Sequence, residues 1–113
     1  MQDSGRPQGI TLTLADEIDY PTGHAPSSVV AADLNGQQVK LVKFQGAFDW
    51  HFHEHEDELF LVHRGSFVME FRDHTVELRE GEFMVVPRGV EHRPVAAEEV
   101  EVLLFEPATT LNT

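Results

Sequence analysis

The sequence predicts an all-β protein, an antiparallel sandwich or barrel folded as one domain. Short apolar runs recur with turn-forming residues between them along most of the chain. No stretch of any length holds a helical period. Asn35-Gly36 marks a two-residue hairpin, because both positions tolerate positive φ. A chain of 113 residues suits one domain with a single core.

Residues 1–27 read as an N-terminal segment and loop, residues 28–106 as the barrel, and residues 107–113 as a tail. Gly5, Pro7 and Gly9 give the start a frayed look, and Ile10 to Ile18 fits either a short helix or an early edge strand. Pro21, Gly23 and Pro26 make Tyr20 to Ser28 a loop. Val29 to Leu34 is the first strand, and its hairpin partner is Gln37 to Gln45, stopped by Gly46. Phe48 to His53 alternates polar and apolar residues as a strand does. Glu58 to His63 and Ser66 to Phe71 flank a turn at Arg64-Gly65. A turn near Asp73-His74 leads to Thr75 to Leu78, and Gly81 breaks the chain before Phe83 to Val86. Pro87-Arg88-Gly89 turns into Glu91 to Val95, and Val100 to Phe105 is the last strand.

Two strands are apolar on both faces. Phe60 and Val62 alternate with Leu59 and Leu61, and Phe83-Met84-Val85-Val86 is unbroken. A half-exposed strand would alternate, so an outer face is expected to meet the N-terminal segment or a second subunit. A homodimer is the expectation, two-fold pairs being the commonest oligomers.

The formal net charge is −12, from 20 acidic against 8 basic side chains. Such a field repels phosphate backbones and anionic lipid, so neither nucleic acid nor membrane is an expected partner. The same acids also serve as a solvated surface that keeps the protein soluble. The absence of cysteine excludes disulfides, thiolate nucleophiles and cysteine-ligated zinc. No apolar run approaches the roughly 18 residues of a membrane span. Met1 to Gly9 is too polar for a signal peptide, so a cytoplasmic location is expected.

The chemistry-bearing feature is a histidine cluster. Three of seven histidines fall at His51, His53 and His55. Side chains two apart on a strand share a face, so His51 and His53 form one wall of imidazoles suited to a transition-metal ion. Glu58 shares a side of its strand with Phe60 and Val62. If that side is interior, an unpaired carboxylate there costs several kcal/mol, and a neighbouring cation resolves the cost. A row of solvent-facing histidines is the plain alternative. His55 is a fourth ligand, a rim group or a turn residue, and the polar run Glu54-His55-Glu56-Asp57 favours the last two. The sequence has no His-Glu-x-x-His, no Gly-x-Ser-x-Gly, no phosphate-binding glycine loop and no dinucleotide fingerprint.

Gly46, His51-Phe52-His53, Glu58 and Gly65 are spaced like the first motif of the cupin family, with one residue fewer after the first glycine than is usual. Gly81, five residues, Pro87-Arg88-Gly89, two residues and His92 resemble the second. The Asn that often ends that motif is replaced by Ala96; that Asn is not a metal ligand of the family, so its absence leaves the implied metal site intact. The resemblance runs from about Val29 to Phe105, and the stretch Asp57 to Pro94 is similar to small single-domain cupins of the mannose-6-phosphate-isomerase-like type. It implies a double-stranded β-helix, or jelly-roll, barrel of antiparallel strands. It also implies four metal ligands, His51, His53, Glu58 and His92.

Three imidazoles and one carboxylate suit one divalent transition metal: Fe, Mn, Ni, Zn or Cu. Open positions on such an ion can polarise a substrate oxygen. Relatives of this family perform isomerase, dioxygenase and lyase chemistry, so the resemblance implies a metalloenzyme acting on a small oxygenated metabolite such as a sugar derivative, with the reaction undefined. The competing expectations are a non-catalytic module that binds or senses a metabolite, and a purely structural metal. Trp50, Phe60, Val62, Met69 and Phe105 are candidates for pocket lining as well as core. Lys43, Arg88 and Arg93 are candidate partners for an anionic substrate as well as ordinary surface charges. Glu54, Glu56 and Glu91 are candidate rim bases, with no residue singled out as catalytic. His24, His63 and His74 are expected to be exposed.

Overall fold

The computed structural model describes residues 27–110, and it is built entirely of strands. In order these are β1 (Ser27–Leu34), β2 (Gln37–Ala47), β3 (Glu58–Arg64), β4 (Ser66–Phe71), β5 (Thr75–Arg79), β6 (Phe83–Val86) and β7 (His92–Pro107). All pairings are antiparallel, and the path β1-β2-β7-β3-β6 continues through β7 to β4 and from β4 to β5. The helix-or-strand segment Ile10 to Ile18 lies outside the described residues, as does His24. Among the described residues no helix is long and apolar enough to cross a membrane.

The β1–β2 hairpin turns on Asn35 (φ 49°) and Gly36 (φ 80°), the doubly left-handed geometry that only such residue pairs adopt cheaply. Gly65 is held more tightly. Its φ is 86°, and a Cβ there would stand 3.1 Å from the Glu99 carbonyl oxygen.

Three expectations are corrected. β2 does not stop at Gly46 but runs to Ala47, because Gly46 (φ 97°) absorbs a register shift against β7 as a bulge. Phe48 to His53 is not a ladder strand. Single tethers hold it: Phe48 N donates to the Pro94 carbonyl (3.1 Å), and His51 and His92 form an isolated bridge. The two strands expected at Glu91 to Val95 and Val100 to Phe105 are one 16-residue strand, β7. Ala96-Ala97-Glu98-Glu99 contains no turn former, so the chain stays extended. The first part of β7 pairs with β4 and its later part with β3, while β2 runs beside both.

Phe44, Phe60, Val62, Phe67, Met69, Leu78, Val86, Val100, Val102 and Leu104 form the main core. Phe44 meets the edges of Phe48 and Phe67 at centroid distances of 5.1 and 5.6 Å, geometry that adds to simple burial. On the opposite face of the sheet, Leu41 and Leu103 form a smaller cluster with Leu61 and Phe105. The parity read for β3 holds: Glu58, Phe60 and Val62 are buried, while Leu59 and Leu61 are half-buried.

Candidate metal centre

Glu58 is the first residue of β3 and His92 the first of β7, so the register of the sheet fixes both. The segment carrying His51 and His53 is fixed by three backbone hydrogen bonds. His51 N donates to the His92 carbonyl (3.2 Å), His92 N to the His51 carbonyl (2.9 Å), and Gly89 N to the His53 carbonyl (2.8 Å). The turn at Gly89 (φ 78°) thus serves both sides of the site. Asp57 ties the same two segments from outside, accepting from Arg88 N at 2.8 Å and from its guanidinium at 3.3 and 3.4 Å. Those Arg88 hydrogen bonds hold the Asp57 carboxyl below its usual range.

One donor atom from each of His51, His53, Glu58 and His92 falls within 4.8 Å of every other. Glu58 Oε1 lies 3.1 Å from His53 Nε2 and 3.4 Å from His92 Nε2. His53, Glu58 and His92 are buried, and His51 is half-buried. Two tautomers follow from the hydrogen bonds. Nδ1 of His51 lies 2.8 Å from the Asp49 carbonyl, and Nδ1 of His92 lies 2.8 Å from the Val90 carbonyl. A carbonyl only accepts, so each Nδ1 carries the proton and each Nε2 turns a lone pair inward when the ring is neutral. Burial lowers the His51 pKa, against the opposing pull of its hydrogen bond to Asp49, with His92 and His53 lowering it further. Its neutral, ligating form is favoured.

This arrangement fits a cation. Glu58 Oε1 and His92 Nε2 are both buried without a hydrogen-bond partner, and they face each other as two acceptors. An orphaned buried polar atom costs about 1–3 kcal/mol, so lone pairs left facing one another are unfavourable. Ligand bonds of about 2.0–2.2 Å place neighbouring donors roughly 3.0–3.5 Å apart, the spacing seen between Glu58 and its two imidazoles.

The site opens on a cavity of about 290 Å³. Val42, Phe44, Phe48, Phe60, Val102 and Leu104 make its walls largely apolar. Of the pocket candidates, Phe60 lines it. Val62 and Met69 are core, and Phe105 joins the cluster on the opposite face. Trp50 packs instead beneath the guanidinium groups of Arg72 (4.0 Å) and Arg93 (5.2 Å). His55 is exposed in its turn and stands outside the donor group. Arg88 is engaged by Asp57, and Arg93 by Glu70 at 2.6 Å. Glu54 is exposed, Glu56 accepts from Thr109, and Glu91 accepts from Arg72. His74 is exposed as expected and stacks on Phe71. His63 is not exposed but half-buried, with Nε2 fully enclosed, and it belongs to β3 rather than to the turn that follows.

Sequence reasoning missed one charged pair. Lys40 and Glu106 are 6% and 0% exposed, and Lys40 Nζ is 3.4 Å from Glu106 Oε1. Lys40 lines the cavity beside His51, His53 and Glu58. Burial pushes the Glu106 carboxyl above its usual range, Lys40 pulls it back, and the charge of Glu58 adds to the rise. Parity was the available signal: Lys40 aligns with Val42 and Phe44, and Glu106 with Val102 and Leu104.

A family model described as "Cupin domain" matches residues 38–106. The chain is 35% identical over 83 residues to the uncharacterized protein YdbB of Bacillus subtilis, covering 73% of this chain and 70% of that one. It is also similar to the crystal structure of a cupin-2 domain protein from Shewanella frigidimarina. That match has 41% identity and a TM-score of 0.81, covering 85% of this chain and 93% of that one. A protein with a double-stranded β-helix domain from Klebsiella pneumoniae shares the fold, with a TM-score of 0.79 at 16% identity, covering 98% of this chain and 93% of that one.

Proposed function

The chain belongs to the cupin domain family, and from that premise we propose that it is a mononuclear metalloenzyme acting on a small oxygenated metabolite. The observation that carries this reading is the pair of buried acceptors, Glu58 Oε1 and His92 Nε2, of which Glu58 lines, with His51 and His53, a cavity large enough for a substrate. His51, His53, Glu58 and His92 would hold one divalent transition ion, from the set Fe, Mn, Ni, Zn or Cu. Such an ion supplies Lewis acidity toward a substrate oxygen.

The chain's own residues do the rest. The Asp49 and Val90 carbonyls, by accepting from Nδ1, lock two imidazoles in the ligating tautomer and aim them. Glu58 lowers the net positive charge of the site by one. Phe44, Phe48 and Phe60 exclude water from the reacting region, which strengthens every electrostatic interaction inside it. Apart from Lys40 and Ser28, the cavity wall offers few side-chain donors to a substrate. A sugar with many hydroxyls would lose hydrogen bonds to water on entry, so a sparsely hydroxylated metabolite fits better than a free sugar.

The test is a panel of small hydroxy, oxo and enolisable metabolites, assayed with metal-loaded wild type and with His51→Ala. Turnover that disappears in the variant is the expected result. Metal-dependent binding without turnover across the panel would instead assign a binding or sensing module.

A further inference from the structure

Lys40 is a buried cation that the metal-binding reading leaves without a role. It lines the cavity that also exposes His51, His53 and Glu58, whereas Glu106 is not part of the cavity wall. The carboxylate therefore stands behind the ammonium. Their 3.4 Å contact is an ion pair longer than a well-formed charge-assisted hydrogen bond. An ammonium carries three donors, and Glu106 engages it from one direction only. A lysine this deeply buried is costly to keep charged, which a purely structural role on an apolar wall would not require.

Charge balance points the same way. With three neutral imidazoles and both Glu58 and Glu106 ionised, a divalent ion and Lys40 leave this enclosed volume with an excess of one positive charge. Protonation of Glu106 would raise the excess further. A neutral ligand leaves that charge uncompensated in a poorly solvated space; a monoanion cancels it. The cavity, at about 290 Å³, lies at the small end of the range for small-molecule sites, and its phenylalanine and valine walls suit a short apolar body.

We propose that Lys40 is the specificity-determining residue of this site and that the ligand is a small organic acid. The carboxylate meets the Lys40 ammonium, and an oxygen of the same molecule faces the four donor side chains. This rests on the metal-binding reading above and adds the substrate class. Glu106 acts as a positioning residue, holding the ammonium against the wall.

The experiment is calorimetric titration of manganese-loaded protein with lactate and with 2-hydroxyisovalerate, each compared with its neutral amide. Wild type and Lys40→Met are measured together, and manganese content is determined for both. The expected result is equal manganese content, preference of the wild type for the acids over the amides, and acid binding weakened about tenfold or more in Lys40→Met. If Lys40→Met does not fold, the double variant Lys40→Met/Glu106→Leu removes the cation without orphaning its partner, and the same loss is expected. Equal acid binding by wild type and variant, or no acid binding by loaded wild type, would overturn the role of Lys40 and leave the metal site standing. Failure of the wild type to take up any of manganese, iron, nickel, zinc or copper would overturn both.

Discussion

Glu58 Oε1 stands 3.4 Å from the His92 Nε2 lone pair, two buried acceptors with no hydrogen bond between them. Such a residue is expected to lower the stability of the protein when metal is withheld. Glu58→Leu keeps the side-chain volume and removes the orphaned oxygen. In chelator-treated protein it is expected to raise unfolding free energy by about 1–3 kcal/mol, measured by urea denaturation, while abolishing metal uptake. A decrease in stability would show that the carboxylate is already satisfied without a cation. His92→Ala is expected to lose stoichiometric metal by elemental analysis and to keep the β-sheet circular dichroism signal. Glu58 was legible in the sequence because its parity with Phe60 and Val62 puts it inside. His92 was legible only through its motif spacing, since nothing local says which way a residue after a Pro-x-Gly turn will face. Lys40 and Glu106 obeyed the same parity rule as Glu58. Their meeting across β2 and β7 is a non-local event that no spacing along the chain encodes.

Among the elements, β7 does the most. Its 16 residues pair with β2, β3 and β4, and its inward face carries His92, Val102, Leu104 and Glu106 in turn. Two strands were expected there because the exposed run Ala97-Glu98-Glu99 interrupts the apolar alternation, although no turn former stands in it. The hairpin at Asn35-Gly36 and the limits of β4 and β6 were read correctly, because Asn35-Gly36, Gly65, Asp73, Gly81 and Pro87 mark them locally. The Lys40–Glu106 pair joins β2 to β7 and should be strongly non-additive. Lys40→Met alone is expected to cost about 3–5 kcal/mol by orphaning Glu106, whereas Lys40→Met/Glu106→Leu is expected to be neutral or stabilising by about 1–4 kcal/mol. A double-mutant cycle on metal-free protein measures this, and additive losses would contradict it. The pH dependence has a defined sign. The Glu106 pKa is raised in the folded state from an ordinary 4.5, so its stabilising contribution is complete below that value. It is lost as pH climbs through the raised value. The stability of wild type relative to Glu106→Gln should therefore fall as pH rises from about 4.5, and a difference that grows with pH would contradict the burial argument.

At the scale of the whole molecule, an acidic barrel encloses an apolar cavity and carries an apolar surface outside. Phe83 and Val85 on β6 are 65% and 50% exposed, and both belong to a strand whose sequence was apolar on each face. A second copy of the chain is the proposed cover for this face. Sedimentation is expected to show a dimer, converted to monomer by Phe83→Asp without loss of metal. A monomeric wild type would remove this part of the proposal. The fold class was readable from turn chemistry and alternation, while the convergence of two imidazoles, a carboxylate and a third imidazole from three stretches of chain was readable only through the paired motifs.

The most direct measurement is an anomalous-difference map from a crystal of the protein loaded with a transition metal. One peak per chain is expected, about 2.0–2.2 Å from Nε2 of His51, His53 and His92 and from an oxygen of Glu58. A peak located elsewhere, or none at full loading, would contradict the assignment of these four side chains.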